Sequence, residues 1–374
     1  MIKILFLIHD LGQGGAEKVL VNLVNHMDTD KFDITVMSLF DCGENKQFLS
    51  RKIKYKYCYK KMIKGNSHLM KLLSSEQLHK KLIKDKYDIE ISYLEGPCAR
   101  IISGCTDPDI KKVCWIHIEQ HTKERVSASF RSYQEAVHCY NQFDNIVCVS
   151  ETVKSDFSSL IPLKKEPVVL YNTNDSQAIL QLSEEPITDI EFDKDEIKLV
   201  GVGKLLQNKG FDRLLRITER LRADYPVHLY ILGSGPDQEK LESYIQNHQM
   251  SAYVDLLGYQ LNPYKYMKQC DLFVCASHAE GFSTAATEAL ILGVPVCTVE
   301  VSGMKEMLGS HNEYGIVTSN DDEALYEGIR SLLADPQLLQ HYKEAAIVRG
   351  KDFSTSKTVN AVEKMLLSLR KQEK

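Results

Sequence analysis

Residues 272–290, which read LFVCASHAEGFSTAATEAL, indicate the fold most directly. The segment opens with five apolar residues, a run of the length and composition typical of a buried strand. A turn containing Gly281 follows, and the chain then enters a helix that we predict to start near Thr284. A strand that turns directly into a helix is half of a βαβ unit, from which parallel sheets are built.

The same alternation extends outward from this segment to both ends of the chain. Short apolar runs alternate with helix-length amphipathic stretches, a pattern that predicts an α/β fold with parallel sheets. Two sheets are expected. We predict strands near residues 3–8, 34–39, 89–93, 112–116, 146–149 and 168–171 in the first half, and near 198–202, 227–232, 254–257, 272–276 and 294–299 in the second.

The length of the chain and one acidic interruption predict two domains. A chain of 374 residues exceeds one ordinary domain core. Residues 173–196 are acidic and weakly apolar, as expected of a surface connection between domains. We therefore predict a first domain over residues 1–172 and a second over 173–354, with a cleft between them. A final helix over about residues 355–374 could pack on either domain, including back on the first.

Composition excludes several classes of protein. Lys and Arg number 46 against 51 Asp and Glu, so no overall positive field attracts nucleic acid. The apolar run at residues 4–8 is shorter than a signal-peptide core, and no segment has the roughly 18 apolar residues of a spanning helix. The ten cysteines form no C-x-x-C pair, so reduced structural thiols are expected. A cytoplasmic enzyme is predicted.

The first strand is followed by a glycine-rich loop. Gly14 and Gly15 precede an amphipathic helix, where backbone N–H groups and the helix dipole favour an anion. Glu17 stands where a dinucleotide-binding fingerprint would have its third glycine, so that interpretation is poor. Two interpretations remain open, a phosphate site and a tight strand-to-helix turn.

A second loop of this kind follows residues 198–202. Gly203 and Lys204, and then Lys209 and Gly210, lie where a strand ends and a helix starts. Ligands of open α/β sheets bind outside the carboxyl ends of the strands, so the two lysines are candidates to bind a pyrophosphate. A pair of solvated lysines is the alternative.

The turn and helix of residues 277–290 carry two acids. Glu280 lies at the turn and Glu288 on the helix, and each carboxylate could accept hydrogen bonds from neighbouring sugar hydroxyls. Backbone N–H groups at the helix start could hold sugar or phosphate oxygens. These belong to Gly281, Phe282, Ser283 and Thr284. The structural alternative has Glu280 stabilising the helix dipole and Glu288 solvated.

His117, after the strand at 112–116, is either a catalytic residue or a hydrogen-bonded structural one.

Taken together, these motifs resemble those of the family 4 retaining glycosyltransferases. Glu280 and Glu288, with seven residues between them, look like the E-x7-E motif of that family, and the other segments match in order. The matches are Gly14 and Gly15 for the first glycine loop, Gly203, Lys204 and Lys209 for the basic clamp, and His117 for a histidine in the cleft. The resemblance implies a GT-B fold, in which two Rossmann-like domains have parallel sheets that face a central cleft.

The resemblance also implies roles for these residues. Glu280 would contact the donor sugar, Glu288 the nucleotide ribose, and Lys204 with Lys209 the diphosphate; His117 would lie beside the transferred sugar. Many members carry Arg where this chain has Lys204. The implied reaction is metal-independent and retaining, with a nucleotide-sugar donor that is commonly a UDP-sugar, so no cofactor is expected. His117, Glu280 and Lys209 are the predicted catalytic residues.

A basic segment, Arg51 to Lys64, bears on the acceptor. Its cations alternate with tyrosines and no acid interrupts them. Such a segment can hold a protein to an anionic membrane leaflet, which predicts peripheral binding and a saccharide or lipid-linked saccharide acceptor. An exposed loop and helix face is the alternative. The cations are Arg51, Lys52, Lys54, Lys56, Lys60, Lys61 and Lys64.

Two other functions share this architecture. A nucleotide-sugar epimerase has similar sheets and a similar nucleotide site, but the ordered motif matches disfavour it. A binding module that senses nucleotide sugars would keep Lys209 and Glu288 and could dispense with His117. Surface polysaccharide or glycoconjugate synthesis is the expected setting.

Overall fold

The computed structural model describes residues 1–12, 14–62 and 70–371. The chain divides into two compact units. Unit 1 comprises Met1–Thr173 together with the segment that begins at Thr355, and unit 2 comprises Asn174–Ser354.

Unit 1 is built on a seven-stranded parallel sheet with the strand order β3-β2-β1-β4-β5-β6-β7. Most residues of its central strands are buried, as expected where helices cover both faces of a parallel sheet, and this explains their apolar runs. The strands are β1 (Ile2–Ile8), β2 (Phe32–Phe40), β3 (Lys54–Tyr59), β4 (Ile89–Ser92), β5 (Lys111–Ile116), β6 (Asn145–Cys148) and β7 (Val168–Val169). The helices that connect them are α1 (Gly15–His26), α2 (Ser75–Leu82), α3 (Pro97–Ile102), α4 (Lys123–Val126), α5 (Tyr133–Tyr140) and α6 (Glu151–Leu160).

Unit 2 repeats the plan with a six-stranded parallel sheet of order β10-β9-β8-β11-β12-β13. The strands are β8 (Ile197–Val202), β9 (Val227–Leu232), β10 (Val254–Gly258), β11 (Leu272–Cys275), β12 (Val296–Val299) and β13 (Ile316–Thr318). The helices are α7 (Ser176–Ser183), α8 (Phe211–Leu221), α9 (Gln238–Asn247), α10 (Tyr264–Gln269), α11 (Thr284–Ile291), α12 (Met304–Leu308), α13 (Asp322–Ala334) and α14 (Pro336–Gly350).

The last helix, α15 (Thr355–Lys371), is part of unit 1 and packs on α1. Its apolar side is buried through Val359, Val362, Leu366 and Leu369. Polar contacts reinforce the packing, since Glu363 Oε1 accepts from the backbone N–H of Asp28 at 2.7 Å.

The α/β class and the two parallel sheets predicted from the sequence are confirmed. Two strands of the structure, β3 and β13, were not predicted from the sequence. β3 is an edge strand that carries the exposed Lys54 and Lys56, so its composition resembles an exposed segment. Residues 54–59 of the basic segment are therefore a strand and not the loop or helix face that was the alternative there. β13 has only three residues, all partly exposed, and gives no apolar run. No helix among the described residues is long and apolar enough to cross a membrane.

Candidate functional site

The candidate site residues gather where each sheet reverses its strand order. In unit 1 the strands on the two sides of β1 are β2 and β4, and in unit 2 the strands beside β8 are β9 and β11. At such a switch point the loops leave in opposite directions and open a crevice at the carboxyl edge, where ligands of open α/β sheets bind. The loops after β1 and β4 in unit 1, and after β8 and β11 in unit 2, therefore contain most of the candidate site, and His117 follows β5, the strand beside β4.

An ion pair joins the loops after β8 and β11 in unit 2. Lys209 Nζ lies 2.6 Å from Glu280 Oε1, which also accepts from the hydroxyl of Ser277 at 2.7 Å. Both side chains are largely but not fully buried. Charge-assisted hydrogen bonds of this kind are short and strong, so Glu280 holds the Lys209 ammonium in a defined position between the two loops.

Backbone contacts fix the spacing of these two loops. His278 donates its backbone N–H to the carbonyl oxygen of Asn208 at 2.8 Å. Gly210 has a φ of +66°, and a Cβ there would collide with the carbonyl oxygen of Ala276. Glycine at position 210 is therefore needed twice, for its left-handed backbone and for the close approach.

Arg213 contacts the loop after β11, a role that the sequence analysis did not predict. Its side chain is only 4% exposed and contacts His278 Nδ1 and Asn320 Oδ1, each at 2.9 Å. Its Nε lies 2.9 Å from a carboxylate oxygen of Asp322. The amphipathic pattern of α8 gave no signal for this role, because a buried arginine and a surface arginine look alike in a sequence.

Gly203 and Lys204 follow β8 directly. The backbone N–H of Gly203 donates to Leu232 at 3.0 Å, which fixes the exit from the strand. Lys204 is exposed, and no ion pair involves its ammonium within the part of the chain that the structure describes. Lys204 and Lys209 thus differ, since one is an exposed cation and the other is tied to Glu280.

The turn after β11 leads into α11 as the sequence predicts. Ser283 caps the helix by accepting from the N–H of Ala286 at 3.3 Å. Phe282 is buried beside Phe353, with ring centroids 5.8 Å apart, and this anchors the turn. The backbone N–H groups of Gly281 and Thr284 meet no acceptor among the described residues. They are available to oxygens of a ligand at the helix N-terminus.

Glu288 is the fifth residue of α11 and is not solvated, which rules out the alternative of a solvated Glu288. It is 3% exposed, and Oε1 accepts from the hydroxyl of Tyr264 at 3.2 Å. The structure therefore separates the two acids. Glu280 belongs to the ion pair with Lys209, whereas Glu288 belongs to a buried contact with α10.

In unit 1, His117 follows β5 and is buried. Burial lowers the pKa of His117 to about 4, although a hydrogen bond with the Tyr93 backbone opposes this, so the imidazole is neutral at physiological pH. Nε2 has no hydrogen-bond partner among the described residues. The hydrogen bond with the Tyr93 backbone therefore involves Nδ1, which donates its proton to the carbonyl oxygen. A neutral imidazole carries only one N–H, so Nε2 has a free lone pair and can accept a hydrogen bond.

Glu95 stands beside His117 and was also missed. Its carboxylate accepts from the backbone N–H of His117 at 3.1 Å, and burial raises the pKa of Glu95. Glu95 follows β4, the strand next to β1, at the switch point. The sequence does show an acidic residue shortly after the predicted strand at 89–93. Only the strand order of the sheet, however, places Glu95 at the switch point beside β1.

The first glycine loop precedes α1, and its residue Gln13 lies outside the described residues. Gly14 is the N-cap of α1, and Gly15 is its first residue. The Glu17 carboxylate folds back over Gly14, where a Cβ would collide with it. This N-terminus already has a negative charge beside it, which favours a ligand hydroxyl there over a phosphate.

Part of the basic segment is neutralised by neighbouring acids. Lys54 pairs with Asp33 at 2.7 Å, and Lys56 pairs with Asp85. Four other cations are exposed, and the ring of Tyr57 is 47% exposed. These cations are Arg51, Lys52, Lys60 and Lys61. Residues 63 and 64, which complete the segment, lie outside the described residues.

Comparison with known proteins identifies the class to which these features belong. Residues 13–177 match the family model described as Glycosyltransferase Family 4, and residues 183–349 match the model described as Glycosyl transferases group 1. The two models together account for most of both units. The chain is a glycosyltransferase, and it belongs to family 4.

Relatives and solved structures agree with this assignment. The chain is 29% identical, over 98% of its length and 100% of the relative's, to N-acetylgalactosamine-N,N'-diacetylbacillosaminyl-diphospho-undecaprenol 4-alpha-N-acetylgalactosaminyltransferase of Campylobacter jejuni. It is 22% identical to the lipopolysaccharide core biosynthesis glycosyltransferase LpsD of Rhizobium meliloti, over 88% of each chain. The crystal structure of Anabaena HepE with UDP and glucose superposes with a TM-score of 0.77 at 18% identity, covering 98% of this chain and 100% of that one. The fold is GT-B.

Proposed function

We propose that this chain is a retaining glycosyltransferase that moves a sugar from a UDP-sugar to a lipid-linked saccharide in the synthesis of surface polysaccharides or glycoconjugates. The Campylobacter jejuni relative, which spans the whole chain, is named for transfer to a diphospho-undecaprenol-linked saccharide. The Anabaena structure, of the same fold, contains UDP and glucose. Both names support the proposed classes of donor and acceptor.

The ion pair between Lys209 and Glu280 is the observation that carries this proposal. A departing nucleoside diphosphate develops negative charge, which a positioned ammonium group stabilises. Lys209 is held within 2.6 Å of Glu280, and the exposed Lys204 follows the same strand, β8. We assign both lysines to the diphosphate, and the N–H groups of Gly281 and Thr284 to oxygens of the donor.

Each acid then has its own task. Glu280 Oε1 is occupied by Lys209 and Ser277, so Oε2 is the oxygen that accepts from hydroxyls of the donor sugar. Glu288 recognises the ribose, and its contact with Tyr264 holds the carboxylate in place. His117, neutral and with Nε2 as acceptor, receives a hydroxyl of the transferred sugar. None of these carboxylates is assigned as a nucleophile.

The transfer step follows from this division. The acceptor hydroxyl attacks the anomeric carbon on the face from which the diphosphate departs, and an oxygen of the leaving phosphate accepts the proton. The lysines and the N-terminus of α11 stabilise the departing charge, so we propose that transfer itself needs no metal. The Campylobacter jejuni relative is named for an alpha linkage, and from an alpha-linked donor such a linkage is the product of retention.

The basic segment completes the proposal by placing the enzyme at its acceptor. Four exposed cations and the ring of Tyr57 favour peripheral binding to the anionic cytoplasmic leaflet, at about 1 kcal/mol per cation. Vesicle flotation measures this directly. Partition should require anionic lipid and fall with salt, and equal partition onto neutral vesicles would contradict membrane binding by charge.

One experiment tests the reaction. The purified chain is incubated with a set of UDP-sugars, with and without an undecaprenyl-diphosphate-linked saccharide, and the products are analysed by NMR. We expect a new glycosidic bond with the anomeric configuration of the donor. An inverted linkage would contradict retention, an epimerised donor would indicate an epimerase, and binding without any product would indicate a sensing module.

A further inference from the structure

A second cluster of ligand-type side chains lies inside unit 1. His79 on α2, Glu90 on β4 and Cys105 after α3 each offer one ligand atom, and these atoms all lie within 4.8 Å of one another. Glu90 and Cys105 are buried, and the His79 side chain is 13% exposed. Glycosyl transfer as proposed above uses none of them.

The fold brings these three residues together from separate elements. Gly104, at the end of α3, lies so close to the start of α2 that a Cβ there would collide with the carbonyl oxygen of Ser75. Lys112 Nζ donates to the carbonyl oxygen of Cys105 at 3.2 Å, which fixes the backbone that carries the thiol. Glu90 pairs in register with both neighbouring strands, so its backbone is equally fixed.

Glu90 is an unusual residue for the middle of a parallel sheet. Burial of a carboxylate is costly unless its oxygens are paired. Oε2 has His79 Nε2 at 2.7 Å, but Oε1 is buried and has no hydrogen-bond partner among the described residues. A buried oxygen without a partner, beside a thiol and an imidazole, indicates a ligand that completes the cluster.

We propose that His79, Glu90 and Cys105 form a zinc site. Zn²⁺ binds imidazole nitrogen, thiolate sulfur and carboxylate oxygen, and its bond lengths place tetrahedral ligands roughly 3.3 to 3.8 Å apart. The three ligand atoms are within 4.8 Å, and small side-chain rotations bring them into that range. The second oxygen of Glu90 or a water takes the fourth position.

Binding of zinc displaces protons into solvent. Zinc binds a neutral imidazole and a thiolate, so protons leave both kinds of ligand when the metal enters, and binding should tighten as pH rises.

The site is structural rather than catalytic. Glu90 is the second residue of β4, whereas Glu95 follows the carboxyl end of the same strand beside His117. The metal would join α2, β4 and the segment after α3. It is expected to raise the stability of unit 1, and it leaves the proposed metal-independent transfer step unchanged.

The first test uses the wild-type full chain. We expect one equivalent of zinc per chain in protein purified from zinc-supplemented medium, measured by mass spectrometry of the metal content. After chelation, titration with Co²⁺ should give the near-ultraviolet thiolate-to-cobalt absorption and visible bands of tetrahedral coordination. Absence of both, in protein that is folded by circular dichroism, would show that His79 and Glu90 form only a buried ion pair.

Variants then assign the ligands. Cys105→Ser should abolish the thiolate-to-cobalt band, and His79→Gln should lower the zinc content at least tenfold. The control is Cys297→Ser, which alters a fully buried cysteine of unit 2 and should leave both measurements unchanged. Retention of the thiolate-to-cobalt band in Cys105→Ser would overturn the assignment. The test compares absorption spectra of the variant and the wild type, so its result does not depend on enzyme activity.

Discussion

At the scale of single residues, the candidate site depends on charges placed by neighbours. Lys209 is an exposed-looking lysine in the sequence, yet its ammonium is held against Glu280, 71 residues later in the chain. A pairing across this separation leaves no local pattern. The sequence predicted both residues through the strand-to-helix turns that carry them, but it could not predict the contact between them.

Replacing Lys209 by methionine should remove the cation and leave Glu280 negative beside the diphosphate. Loss of one electrostatic contact to developing charge typically costs a factor of 10² to 10³. We therefore expect kcat/KM for the donor to fall by about 100-fold or more. The control is Lys268→Met, which breaks only a surface pair with Glu184 and should change kcat/KM less than about twofold. A similar small change in both variants would exclude Lys209 from the reaction.

His117 makes a prediction about pH. Its pKa is about 4 in the folded chain and about 6.5 in the unfolded chain, so between these pH values the unfolded state binds the proton more strongly. The free energy of unfolding of unit 1 should decline by up to about 3 kcal/mol as pH falls from 6.5 to 4.

The variant His117→Asn should lack this part of the pH dependence. Fluorescence of Trp115, the single tryptophan, reports on unit 1 because it lies in β5 two residues before His117. Denaturation followed by this signal should show a shallower pH dependence for His117→Asn than for wild type. His341→Asn, an exposed histidine of α14, serves as the control. Equal slopes for wild type and His117→Asn would contradict a buried neutral imidazole.

At the scale of elements, most of the fold could be predicted because the buried strands are continuous apolar runs. Where a strand lies at the edge, as β3 does, only one side is covered and cations replace apolar residues, so composition misleads. Arg213 shows the converse, since a charged residue of an amphipathic helix is buried for contacts that only the fold creates. The order of the strands in each sheet, which determines where the crevices lie, also cannot be predicted from the hydrophobic periodicity of the sequence.

The turn between β8 and α8 gives a prediction that separates backbone strain from collision. Gly210 has a φ of +66° and a Cβ there would meet the carbonyl oxygen of Ala276, whereas Gly258 has a φ of +67° with nothing within 4 Å of the same position. Gly258→Ala should cost only the left-handed backbone, about 1 to 2 kcal/mol. Gly210→Ala should cost more, because the two loops must also move apart.

Hydrogen exchange with mass spectrometry measures both effects. In Gly210→Ala we expect lost protection in the segments around residues 203–213 and 276–284, together with reduced activity. Gly258→Ala should keep protection there and keep activity. If the two variants lost protection and activity equally, the close contact between Gly210 and Ala276 would not be needed to hold the loops.

At the scale of the whole molecule, the chain order of elements does not follow the division into units. α15 comes after all of unit 2 yet belongs to unit 1, where it packs on α1. The sequence showed an amphipathic helix but not its partner, because an apolar helical face is compatible with either sheet layer. The contacts of Glu363 with Asp28 and of Arg370 with Asp88 identify that partner.

This arrangement predicts that a mutation near the carboxyl terminus destabilises the amino-terminal unit. Leu366 is fully buried, and a Leu-to-Ala substitution in such a position costs about 2 to 5 kcal/mol. Leu366→Ala should therefore lower the unfolding transition of unit 1 seen by Trp115, while amides of unit 2 keep their protection in hydrogen exchange. Lys364→Ala, an exposed change in the same helix, should shift neither by more than about 0.5 kcal/mol. An unchanged Trp115 transition with loss of protection in unit 2 would mean that α15 stabilises the other unit.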